Sequence, residues 1–164
     1  MFKRILKYLL MFSFLLALQI AVVPLLAFSD VHPDFMLIGV ILAAIRHGAT
    51  PAIFTGFLAG LVQDVAVSEL YGLQALAKSV AGFVAGTLVK DKAKVELQVA
   101  ILVAFITALA HNLLRDTIFY FDAGLNFFYV FLRYVLPNSI YSVVFVAIIQ
   151  MLWPEALRNK PALD

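Results

Sequence analysis

The sequence predicts an all-α membrane protein: a six-helix transmembrane bundle, short in its second and third helices, with both termini on the cytoplasmic side. Composition is the first reason. Hydrophobic residues make up 64% of the chain, charged residues 13%, and mean hydropathy is +1.01, far from the roughly half-apolar, quarter-charged mix of a soluble domain. The second reason is a series of six apolar segments separated by short polar turns. The third is where the twelve lysines and arginines fall. If the segments cross in turn, Lys3, Arg4, Lys7, Arg46, Lys90, Lys92, Lys94, Arg158 and Lys160 all lie at ends or turns on one side. Lys78, Arg115 and Arg133 lie inside segments, and the loops of the opposite side hold no basic residue. The positive-inside rule makes the basic side cytoplasmic.

Six spans in 164 residues leave only short loops. The chain therefore reads as a single integral membrane domain, 1–164, without a soluble catalytic domain on either face. Its net charge of +2 is spread over separate cytoplasmic sites with no aromatic interleaving. That pattern orients the chain and touches membrane lipid, and it does not point to nucleic acid. With no cysteine, disulfides, thiolate metal sites and cysteine nucleophiles are excluded.

The first segment, Ile5 to Ala27, follows a basic start and precedes Ala27-Phe28-Ser29, which loosely resembles a cleavage site. It is longer than the roughly 7 to 15 apolar residues of a signal peptide, so an uncleaved helix is expected. Pro24 lies in its last turn, where a lost hydrogen bond matters least. An acidic outer loop, Ser29 to Asp34, follows, and Pro33 starts the second helix. From Asp34 to Arg46 that helix reaches only about 20 Å, short of a roughly 30 Å hydrocarbon core. The third segment, Thr50 to Asp64, is nearly as short. Either both cross, with thinned bilayer or neighbouring protein covering the mismatch, or they form a re-entrant hairpin. Crossing is preferred, because Arg46 and His47 at a hairpin tip would be stranded at mid-membrane depth. The fourth helix is expected over Leu73 to Val89, the fifth over Val95 to Tyr120, and the sixth over Phe127 to Trp153 with a kink at Pro137. Tyr8 and Trp153 inside, with Phe119, Tyr120, Phe121, Phe127, Phe128 and Tyr129 outside, form interfacial belts.

Two patterns stand out within this frame. Gly48, Ala52, Gly56, Gly60 and Asp64 recur every four residues, so one face of the third helix is nearly bare backbone; Gly82 and Gly86 give the fourth helix a matching groove. Small residues at this spacing let helices approach closely in lipid, either to close the bundle internally or to dock a partner's transmembrane helix. The second pattern is an outer polar layer of Asp64, Lys78, His111, Arg115, Asp116, Arg133 and Asn138, joined by Gln74 and Asn112. Ionised groups at this depth need partners or water, so the layer is an internal charge network or an outward-open polar cavity. Alternatively, Arg115 and Arg133 snorkel to the head groups and pair with Asp116, Asp122 or Glu69. Asp64 is expected to pair with a basic group of this layer.

Catalysis has little support. His32, His47 and His111 stand apart, and no metalloprotease, nucleophile-elbow or phosphate-loop motif occurs. No enzyme activity, metal or cofactor is expected.

The run from Gly56 through Leu61 to Asp64, followed by Gly72-Leu73-Gln74-Ala75-Leu76, resembles the G-x-x-x-G-L-x-x-D and G-L-x-A-L pattern of the MreD family of rod-shape-determining proteins. Pro33-Asp34 resembles the pair that opens this region there. The motif covers Pro33 to Leu76, and helices five and six match in hydropathy alone. The resemblance implies a non-enzymatic adaptor in the bacterial inner membrane. It would link MreC, RodA and a class B penicillin-binding protein to MreB, directly or indirectly. A different reading stands beside it. Six short-looped helices with an outer polar layer also look like the substrate-binding component of an energy-coupling-factor vitamin transporter, with a cavity lined by Lys78, Arg115, Arg133 and Asn138. The coupling motif of small residues in that family's first helix is not evident here.

Overall fold

The computed structural model describes residues 2–27, 31–67, 70–90, 95–121 and 124–152. Asp30, Glu69, Lys92, Lys94, Asp122, Trp153, Arg158 and Lys160 lie outside them, as do the side chains of Lys3, Arg4, Lys7 and Tyr8. The described chain is helical: α1 (Phe2–Ala21), α2 (Val23–Leu26), α3 (Phe35–His47), α4 (Ala49–Val67), α5 (Leu73–Leu88), α6 (Leu97–Phe119), α7 (Phe127–Val130), a π-helical stretch (Phe131–Val135) and α8 (Leu136–Leu152). Three stretches, Ala49–Ala66, Leu97–Phe119 and Phe127–Ile149, are long and apolar enough to cross a bilayer. The apolar stretches Leu10–Ala21, Phe35–His47 and Leu73–Leu88 are shorter.

Burial is inverted relative to a water-soluble protein. Phe54, Phe57, Leu58, Leu61, Val62 and Val65 on α4 face outward, while Lys78, His111, Asn112 and Asp116 are buried. So large an apolar exterior suits hydrocarbon, and the polar groups face one another because lipid offers them nothing to bond.

The short helix α3 is the centre of this arrangement. From Phe35 to Ile45 only Leu42 escapes full burial. Its length is therefore not matched against lipid along most of its surface, because α1, α4, α5, α6 and α8 all pack against it. Asp34 caps its start by accepting from Leu37 N–H at 2.9 Å, and Arg46 and His47 occupy its last turn, a charge order that complements the helix dipole. Gly48, with φ +83°, then turns the chain directly into α4.

The third segment is longer than its sequence implied. It runs through Val67 over 19 residues, and Asp64 does not end it. The Asp64 carboxylate is turned sideways, onto the first turn of α5, so nothing there competes with continuation of its own helix.

Helices α4 and α5 make the most extensive contact among the described elements, and glycine makes it possible. A Cβ at Gly56 would strike the Lys78 carbonyl, one at Gly60 the backbone of Ala75, one at Gly82 the Ala52 carbonyl, and one at Gly86 the backbone of Ala49. The two small-residue stripes thus meet each other, with Ala52 fully buried between them. Neither stripe faces outward to receive another helix. Gly48 is different: a Cβ there would meet nothing within 4 Å, so it serves the turn rather than the contact.

The sixth segment departs from a plain proline kink. Pro137 has no N–H to donate one turn back, and just before it the backbone widens so that Leu136 N–H donates to the Phe131 carbonyl, five residues earlier. The extra residue turns the following face by about 100°. Asn138, Ser139 and Ser142 are all buried after it.

Candidate functional site: a polar hub and cavity at one end of the bundle

Lys78 is buried inside α5 at 0% exposure, and three polar atoms surround its ammonium. Nζ donates to Asp34 Oδ2 at 2.6 Å and to Gln74 Oε1 at 2.8 Å, and lies 3.5 Å from His111 Nε2. His111 Nδ1 is 3.1 Å from Asn112 Oδ1. If Nδ1–H donates there, Nε2 keeps a lone pair for the ammonium, which satisfies both contacts. Asn112 Nδ2 in turn donates to Ser139 Oγ at 3.0 Å, and Ser139 donates to the Val135 carbonyl at 2.6 Å. Four helices are tied through one buried cation.

The segment before α3 is held by side chains rather than by a turn of its own. His32 N–H donates to Asn138 Oδ1 at 2.9 Å, Asp34 N–H to Ser142 Oγ at 3.3 Å and Phe35 N–H to Gln19 Oε1 at 2.8 Å. Buried backbone donors in a membrane need such acceptors. The polar residues of α1 and α8 supply them.

Asp64 does not hold the basic partner expected of it. Its Oδ2 accepts from Gly72 N–H and Ala75 N–H, and its Oδ1 from Gln74 N–H, each at 3.0 Å. A carboxylate one helix away satisfies the free amides at the start of α5, where the helix dipole also favours a negative charge. Asp34, not Asp64, neutralises Lys78. Replacing Asp64 with alanine should destabilise the protein by about 2 kcal/mol, since it strands these amides; Asp64→Asn, keeping one acceptor oxygen, should lose about half as much in thermal unfolding. Gly72 contributes its backbone as well. At φ +89°, an alanine is strained by roughly 1–2 kcal/mol, so Gly72→Ala should lower the unfolding midpoint and Gly72→Asn should lower it less.

The outer polar layer therefore separates into parts. Lys78 and His111 belong to the Asp34 hub. Arg115 pairs with its neighbour Asp116, Nη2 to Oδ1 at 2.6 Å and Nε to Oδ1 at 2.7 Å, which is one of the pairings the snorkelling alternative named. Arg133 lies with its guanidinium carbon 5.9 Å from the Tyr134 ring centre. Of the remaining motif residues, Pro33, Leu73 and Ala75 are buried, whereas Leu61 and Leu76 point outward.

Beside the hub lies a cavity of about 400 Å³. Its wall takes Gln19 from α1, Gln63 from α4, Gln74 from α5, Arg115 and Asp116 from α6, and His32, Tyr134 and Asn138 from the adjoining segments. Lys78 and Arg133, expected in such a wall, are not in it. Burial, followed by the nearby Arg115 guanidinium, holds His32 below the usual histidine range. Burial and then Tyr134 push the Tyr120 phenol up to about 12. Both therefore stay uncharged near neutral pH.

Asp34, Gln19 and His32 are the contributors that sequence reasoning missed in this role. The available signal was Lys78 itself, since a lysine inside an apolar helix demands an anion, and Asp34 heads the neighbouring helix.

An all-helical protein with an apolar exterior and its ionic groups turned inward is an integral membrane protein. The model of the family described as rod shape-determining protein MreD matches residues 2–160. The chain belongs to that family, and so is a rod-shape-determining membrane protein. Neither a search of curated proteins nor a search of solved structures returned a match.

Proposed function

We propose that this protein is a non-enzymatic adaptor of the bacterial cell-elongation complex, a single integral membrane domain linking MreC, RodA and a class B penicillin-binding protein to MreB, directly or indirectly. The observation that carries the reading is the family match across nearly the whole chain. The physical reading agrees with it. The interior is held together by a buried ion pair, a carboxylate cap and a glycine contact, all of which favour one fixed shape, and a fixed shape is what a scaffold needs in order to hold partners in register. In this reading six segments cross the inner membrane, both termini are cytoplasmic, and the hub and cavity face the periplasm.

Because the glycine stripes of α4 and α5 are occupied by each other, a partner's membrane helix would meet a different, outward face. Affinity purification of the tagged chain from membranes, with identification of the bound proteins, tests the proposal. Recovery of a single-span protein with a periplasmic domain is expected. Recovery of an ATPase pair with a transmembrane coupling subunit would instead support the vitamin-transporter reading, for which the cavity is the one favourable observation.

A further inference from the structure

We infer that the cavity beside the hub is a binding site for a neutral group bearing hydroxyl or amide functions, presented by a free small molecule or by a lipid headgroup. The inference rests on which atoms of the wall are already bonded. Gln19, Gln74 and Asn138 each have their carbonyl oxygen engaged, by Phe35 N–H, Lys78 Nζ and His32 N–H respectively. Those bonds fix the orientation of each amide. Each is left with an NH2 group that makes no hydrogen bond among the described residues. Acceptors are left over too: Asp116 Oδ2 and Gln63 Oε1 are buried without a partner, as is His32 Nδ1, which donates or accepts according to its tautomer, and buried polar atoms in this condition call for one.

The wall thus offers donors and acceptors together, which is the pattern that hydroxyls and amides complement, since each of those groups both donates and accepts. Charge points the same way. Arg115 is paired with Asp116, so an anion would face a carboxylate and a cation a guanidinium. Size is consistent: about 400 Å³ lies within the range of roughly 300–1,000 Å³ for small-molecule sites and far exceeds the ~30 Å³ share of one water. Phe119, Tyr120 and Tyr134 add ring surface to the wall, against which the apolar face of a sugar or a lipid glycerol can rest. The inference stands whichever proteins the chain binds, and its failure would leave the adaptor reading untouched.

The test is thermal unfolding of the full chain in lauryldimethylamine oxide, a detergent with no sugar head. N-acetylglucosamine serves as the free neutral probe and monoglucosyldiacylglycerol as the lipid one; glucosamine and glucuronate are charged counterparts. At saturation the neutral probe from the true source should raise the midpoint by about 5 °C, and which of the two does so identifies that source. The charged sugars should give less than half that shift. Ala27→Trp, which fills the cavity from its rim, and Gln63→Leu, which removes an unpaired acceptor, should each lose the shift, read against that variant's own ligand-free midpoint. The inference is overturned if neither neutral probe raises the midpoint, if the charged sugars raise it equally, or if Ala27→Trp keeps the full shift.

Discussion

Lys78→Met is expected to destabilise the protein by about 3–5 kcal/mol, because it leaves the Asp34 carboxylate buried without its counter-ion. Asp34→Asn should have an effect of similar size from the other side, stranding an ammonium at 0% exposure while preserving the helix cap, since asparagine caps as well as aspartate. The double variant separates this from generic damage. With both charges gone, neither group is left uncompensated, and Asp34→Asn combined with Lys78→Met should lie closer to wild type than either single variant. Unfolding midpoints in one detergent give all four corners of the cycle. Single-variant losses that simply add would mean that the 2.6 Å contact is not an energetic pair.

The second large effect belongs to Gly60. A side chain there meets the backbone of Gln74 and Ala75 rather than a flexible group, so α5 itself must move. That movement would also pull Gly72, Gln74 and Ala75 away from the Asp64 oxygens that bind them. Overpacking typically costs about 1–3 kcal/mol; with the cap lost as well, Gly60→Leu should exceed the upper end and lower the midpoint by roughly 10 °C or more. Gly60→Ala should fall between it and wild type. Phe57→Leu, on the outward face of the same helix, should leave the midpoint unchanged. Equal midpoints for Gly60→Leu and Phe57→Leu would remove close packing from the account.

Periodicity made much of this legible. Apolar segments longer than a core strand, bounded by charged turns, gave the helices, and glycines at every fourth position gave a contact face. Whether two such faces meet each other or a stranger is a question about pairs of helices, which spacing within one helix does not answer. Asp34 shows the same limit. In sequence it closes an acidic loop, 44 residues from the lysine it neutralises, and only the packing of α3 against α5 brings them together. An aspartate in an apolar run reads as a helix end, yet α4 continues past Asp64 because its carboxylate is bound by a neighbouring helix. The π-helical stretch had a partial signal in Pro137, which announced a disturbance but not that one extra residue would turn Asn138, Ser139 and Ser142 inward.

In the proposed topology the bundle crosses the membrane with its hub and cavity on the outer side. Since the chain contains no cysteine, single thiols can be placed at His47, in the α3–α4 turn, and at Leu125, before α7, and treated with a membrane-impermeant maleimide in whole spheroplasts and in inverted vesicles. Labelling of Leu125→Cys only from the outer face and of His47→Cys only from the inner face is the predicted result. Labelling of both from the same face, or the two reversed, would contradict it.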